Sequence, residues 1–82
     1  MLKPQETVIQ LQGIVLASDF DRHGNPMEIV LETENFHQYK ISQNKKGREL
    51  MNHTFEEVKL EGMIEEGDEI PLLTIQEYSI VS

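Results

Sequence analysis

Asp19, Asp21, His23 and Gly24 occupy alternating and adjoining places in "SDFDRHGNPM", residues 18–27. Counted from Asp19 they fall at positions one, three, five and six of a cation-binding loop. A calcium loop of EF-hand type also needs a bidentate carboxylate at its twelfth position, which here is Val30. It wants oxygen where this chain has the His23 imidazole, and a helix on each side where the flanking patterns alternate like strands. A turn explains the stretch more fully. Asp19 and Asp21 can accept local backbone N–H bonds, Gly24 permits positive φ, and Pro26 ends the loop. No tightly held metal is expected, with a weak, partly hydrated cation at Asp19 and Asp21 as the alternative.

Other chemistry is sparse. His23, His37 and His53 are the only imidazoles, no two share ligand spacing on one helix, and there is no cysteine. His37 reads as a strand-start residue and His53 as a helix C-terminal one. Ser18 with Asp21 and His23 lacks a G-x-S-x-G or comparable turn to expose a nucleophile. Glu56 and Glu57 are adjacent, so on a strand they face opposite ways. No catalytic activity and no cofactor are expected.

A third constellation is electrostatic. Lys40, Lys45, Lys46 and Arg48 are four of the seven cations, packed beside Tyr39 in "YKISQNKKGR". Such a patch could hold a phosphate backbone, with Phe20 and Phe36 as outlying stacking platforms. The whole chain opposes this. Fifteen acids against seven cations give a net charge of −8, and nine of the acids follow residue 48. A surface of that sign repels nucleic acid and anionic lipid at long range.

The elements that must position these residues are strands. "VIQLQGIVLA" (8–17) alternates through Ile9, Leu11, Gly13, Val15 and Ala17, and its mid-strand glycine predicts a bulge or sharp bend. "MEIVLET" (27–33) places Met27, Ile29, Leu31 and Thr33 on one face, and Glu28, Val30 and Glu32 on the other. "HQYKIS" returns after the short connection "ENF", with Tyr39 and Ile41 inward and Gln38, Lys40 and Ser42 outward. Alternation then lapses. Asn44 can cap a short helix over 45–53, in which Gly47 is a weak point. Strands resume in "EEVKLEGMIEE" and, past a hairpin turn at "EGDE", in "IPLLTIQEYSIVS", where Pro71 places the start on an edge. The expected core is Ile9, Leu11, Val15, Ile29, Leu31, Tyr39, Ile41, Leu50, Val58, Leu60, Ile64 and Ile75.

The order strand, strand, strand, short helix, strand, strand, with a glycine-bent first strand and a second glycine in "VKLEGMI", resembles the OB-fold. The resemblance covers roughly residues 8–80. It implies an all-β, five-stranded Greek-key barrel with one short helix plugging an end. An SH3-like barrel is the runner-up and usually lacks a helix at "NKKGRELMNH". The 82 residues are read as one domain, with 1–7 as a lead-in. "MLKPQETVIQ" has no apolar leader core and no apolar run approaches the ~20 residues of a span, so a cytoplasmic protein without membrane association is expected.

A binding module is the expected function, and protein interaction or self-association the first choice. Ile14, Leu16 and Val30 fall on outward positions and could form a partner patch. Single-stranded nucleic-acid binding through Lys40, Lys45, Lys46 and Arg48 is the alternative. OB-type binders stack bases on aromatics facing out from strands two and three, and none is expected there.

Overall fold

The computed structural model describes residues 8–81, so the expected lead-in at 1–7 lies outside the described residues. Five strands form a closed barrel in the order β1-β2-β3-β5-β4. They are β1 (Val8–Phe20), β2 (Pro26–Glu32), β3 (Gln38–Ile41), β4 (Glu57–Glu65) and β5 (Leu72–Ile80). One helix, α1 (Lys45–Leu50), follows β3 and tightens into a 3-10 turn over Met51–His53. The chain is thus all-β with one short helix, as the alternation predicts. No helix among the described residues is long and apolar enough to cross a membrane.

Closure depends on β1. Its first half pairs antiparallel with β4, from Val8↔Met63 to Ile14↔Glu57. Its second half pairs with β2, from Ile14↔Glu32 to Phe20↔Pro26. Ile14 belongs to both ladders, and Gly13 sits at the changeover. A Cβ on Gly13 would stand 2.3 Å from the Glu32 carbonyl oxygen, closer than atoms can approach. The glycine therefore serves close passage of β2. The register shifts of β1 lie further on, between Ala17 and Phe20, where it runs into the hairpin with β2. That hairpin tightens the turn expected between strands at 8–17 and 27–33. β1 continues through Phe20 and β2 begins at Pro26, leaving residues 21–25 as the turn.

Between β3 and β5 the barrel is joined by two parallel pairs, Lys40↔Leu72 and Ile41↔Leu73. β4 and β5 pair along their length with a shift at Glu61/Gly62. Their connection spans 66–71, longer than the tight turn expected at "EGDE". Helix α1 starts as expected at Asn44, whose Oδ1 accepts the Gly47 N–H at 2.9 Å and whose amide donates to the Ile75 carbonyl at 3.1 Å. Gly47 is more than a weak point. It is buried, and a Cβ there would stand 1.9 Å from the Ser42 carbonyl. Any larger residue would push the helix off β3.

Val15, Ile29, Leu31, Ile41, Leu50, Val58, Leu60, Leu73 and Ile75 make the core, with Leu11 and Tyr39 packed against it. Two expected members differ. Ile9 is only half-buried, and Ile64 is 40% exposed because it stands past Val8↔Met63, the last β1–β4 pair among the described residues. Leu73, not expected, is fully buried opposite Ile41.

Leu31→Ala and Leu73→Ala should each cost about 2–5 kcal/mol, from lost burial plus the cavity left behind. Gly13→Ala should cost about 1–3 kcal/mol by overpacking against backbone that cannot retreat. Urea unfolding followed by circular dichroism measures all three.

Candidate functional site

At the tip of the β1–β2 hairpin the acids are spent on the turn. Asp21 Oδ1 accepts the His23 and Asn25 backbone N–H groups at 2.8 and 2.9 Å, and Oδ2 accepts the Asn25 side-chain amide at 3.3 Å. Gly24 takes the left-handed conformation, φ 84°, and donates to the Asp21 carbonyl at 3.0 Å. Asp19 accepts the Phe20 N–H at 2.9 Å. Asp19 and Asp21 thus bond locally, as turn chemistry requires. Donation from the Asn25 backbone, more than any other group, holds the Asp21 carboxyl below its ordinary range. Among the described residues no group of three or more His, Cys, Asp or Glu is placed to hold a metal.

The β2–β3 face carries paired polar groups. Lys40 Nζ lies 3.2 Å from Glu28 Oε1, and the Gln38 amide donates to Glu32 Oε1 at 3.2 Å. Lys40 stands opposite Val30 in register, yet its ammonium reaches Glu28. Val30 thus stands between Lys40 and Leu16, its register partners in the two ladders. This corrects the expectation that Val30 offers surface to a partner, because it is only 7% exposed. Leu16 is half-buried and Ile14 is 43% exposed, so Ile14 alone of that trio is open.

The residues of the expected basic patch come from two elements, Lys40 from β3 and the rest from α1. Lys45, Lys46 and Arg48 belong to α1, and Lys46 Nζ lies 5.8 Å from the centre of the Tyr78 ring. Tyr78 is six residues along β5 from Leu72, the partner of Lys40, a separation of roughly 20 Å. Tyr78 also donates its hydroxyl to Glu49 at 2.8 Å, which raises its pKa and fastens α1 to β5. His53, at the end of the helical segment, pairs with Glu56 at 3.1 Å. Phe20 and Phe36 are both exposed, but they lie near opposite ends of the seven-residue β2, again roughly 20 Å apart. No aromatic strand residue bridges them on that face.

A different surface brings exposed apolar groups together. Ile14 projects between Glu32 and Glu57, its neighbours in the two ladders. Beyond Glu32, the loop from Thr33 to His37 closes through the Thr33 N–H to His37 carbonyl bond at 2.8 Å. Within it Asn35 and Phe36 both take left-handed backbone, φ 64° and 61°. Phe36 is 85% exposed. Phe55, before β4, repeats the combination with φ 67° and 73% exposure, and its N–H bonds the Val15 carbonyl beside Ile14. Left-handed backbone costs an L-residue roughly 1–2 kcal/mol, and an exposed ring recovers little of it by packing. A groove runs between β1 residues 10–14 and this loop, with Ile14 and Phe36 as apolar walls and Glu32, Glu34 and Glu57 as its charges. Among the described residues no Lys or Arg lines it. Glu34 and Phe55 were not singled out from sequence, since neither lies in a periodic segment. Only the polar setting of Phe55 in "NHTFEE" hinted that it lies outside the core.

No family model matches the chain, and a search of curated proteins finds no match either. The function must be read from these surfaces.

Two outcomes test the description. Asp21 stabilises the fold above its unfolded pKa of about 3.9, and that contribution disappears as pH falls through its lower folded value. In melting scans from pH 5 to 2, wild type should therefore lose an advantage over Asp21→Asn below about pH 4. Phe36→Gly should leave stability unchanged or raise it by up to about 1 kcal/mol, since relief of left-handed strain offsets the added freedom of the unfolded chain. Urea unfolding reads this directly.

Proposed function

We propose that the chain is a small OB-type binding module of the cytoplasm that recognises another protein and catalyses no reaction. The strand order β1-β2-β3-β5-β4, with its helix after β3, supports the OB assignment. A fold of this type serves many functions, so the surfaces decide. The observation that carries the reading is the contrast between two of them. The β2–β3 face, where OB-type nucleic-acid binders stack bases, presents Glu28, Lys40, Gln38 and Glu32 in mutual pairs. The exposed aromatics Phe36 and Phe55 stand instead on loops near Ile14. Rigid aromatic side chains at the water boundary are what protein interfaces use as anchors. As for catalysis, no hydroxyl among the described residues is hydrogen-bonded to a histidine ring.

Single-stranded nucleic acid is the competing ligand, favoured by exposed Phe20 and the cations of α1. Fluorescence anisotropy with labelled oligo-dT separates the two. The protein-binding reading expects weak association near physiological salt, with a log–log salt slope of at most about −3 for four lysine and arginine contacts. Charge reversal of Lys40, Lys45, Lys46 and Arg48 to Glu should remove that remnant. Submicromolar affinity that survives the reversal and collapses in Phe20→Ala or Phe36→Ala would establish stacking and overturn the reading.

A further inference from the structure

The groove beside β1 is bounded by backbone as well as side chains. Val15 donates its N–H to the Glu56 carbonyl and accepts from the Phe55 N–H, so its polar groups face the β4 side. In an extended strand successive residues direct these groups to opposite edges. Odd-numbered residues of β1 thus face β4, while even-numbered ones face β2. Ile14 and Leu16 meet β2 there, opposite Glu32 and Val30. β2 ends at Glu32. Val8, Gln10 and Gln12 therefore turn their backbone N–H and C=O groups to an edge that no strand covers among the described residues. The barrel is closed, yet this overhang of β1 keeps a free edge. It opens into the groove whose walls are Ile14 and Phe36.

We propose that this edge accepts an extended segment of a partner protein as an added strand, one that carries lysine or arginine around an apolar residue. The proposal rests on the protein-binding reading above and gives it a place and a chemistry. Backbone pairing with Gln10 and Gln12 supplies the general attraction, and side-chain pockets supply the choice of partner. Three carboxylates, Glu32, Glu34 and Glu57, border the groove, with no Lys or Arg beside them among the described residues. Glu32 and Glu57 already accept amide hydrogens from Gln38 and Gln12, and among the described residues neither has a lysine or arginine within ion-pair distance. Their field favours a basic segment and rejects an acidic one. An apolar side chain at the centre of the segment would cover Ile14 and Phe36. A second copy of this strongly acidic chain fits less well, since two such borders would face each other.

The test uses a short blocked peptide alternating lysine and valine, titrated into the isotope-labelled full chain and followed by amide NMR. Three controls accompany it: a glutamate–valine peptide, a lysine–valine peptide N-methylated at alternate residues, and the variants Glu34→Lys and Phe36→Ser. Shifts should concentrate at residues 8–14 and 33–36, and exchange at Gln10 and Gln12 should slow at least tenfold. The glutamate peptide should bind at least tenfold more weakly, the N-methylated one should lose the slowed exchange, and both variants should weaken binding. Glu34 and Phe36 are exposed, so both variants keep the core intact. Absence of binding overturns the proposal. So do shifts spread over the acidic 66–71 loop with equal affinity for the N-methylated peptide, which would mean unspecific charge attraction. Shifts at the same amides on raising protein concentration alone, with dimer in sedimentation, overturn the choice of occupant. Failure here with oligo-dT still weakly bound leaves protein recognition to another surface, whereas tight oligo-dT binding ends that reading itself.

Discussion

Everything in this barrel hangs on the passage of the Glu32 carbonyl over Gly13. One strand must serve two ladders, and only at a residue without a side chain can β2 come close enough to take over from β4. Ile14 then stands at the junction, flanked by acids from both ladders. The same geometry leaves the first half of β1 overhanging, because β2 has ended where β1 still continues. Closure of the barrel and exposure of its remaining edge are thus two results of one contact. Closure itself leaves that edge without a covering strand among the described residues.

Electrostatics reinforces that arrangement. A net charge of −8 on a small surface could be diffuse, yet the few cations are not scattered at random. Lys40 is held by Glu28 and Lys46 leans on Tyr78, so two of the four clustered cations are engaged. The acids beside Ile14 have no cationic partner among the described residues. With fifteen acids against seven cations, the surface presents a negative potential at long range.

Much of the architecture was legible because burial on one side of a strand writes itself as period two. Val15, Ile29, Leu31, Ile41, Val58 and Leu60 all follow from it, and Asn44 announced the helix through its capping bond. What was hidden depended on neighbours distant in sequence. Val30 looks outward by alternation, yet between Lys40 and Leu16 it is only 7% exposed. Leu73 sits in "PLLTIQ", where adjacent leucines give no face, and only parallel pairing with Ile41 selects one. Ile64 keeps the alternation past the point where β1 has any residue described to cover it. The groove was less legible still. Ile14 was singled out, but the left-handed backbone of Phe36 and Phe55 leaves no mark on a hydrophobicity pattern.

The join between β3 and β5 carries a further implication, for motion. Two parallel pairs close it, extended by the Lys40 N–H to Pro71 carbonyl and Ser42 N–H to Leu73 carbonyl bonds, both at 2.8 Å. Every other seam has at least three pairs and is antiparallel. The molecule therefore has one hinge line. Sub-global opening would part β1–β2–β3 from β5 like a cuff unbuttoned at a single place, while all four antiparallel ladders stay intact. Helix α1, fastened to β5 through Tyr78 and Asn44, is the clasp over that cuff, and its hold sets how often the core meets water.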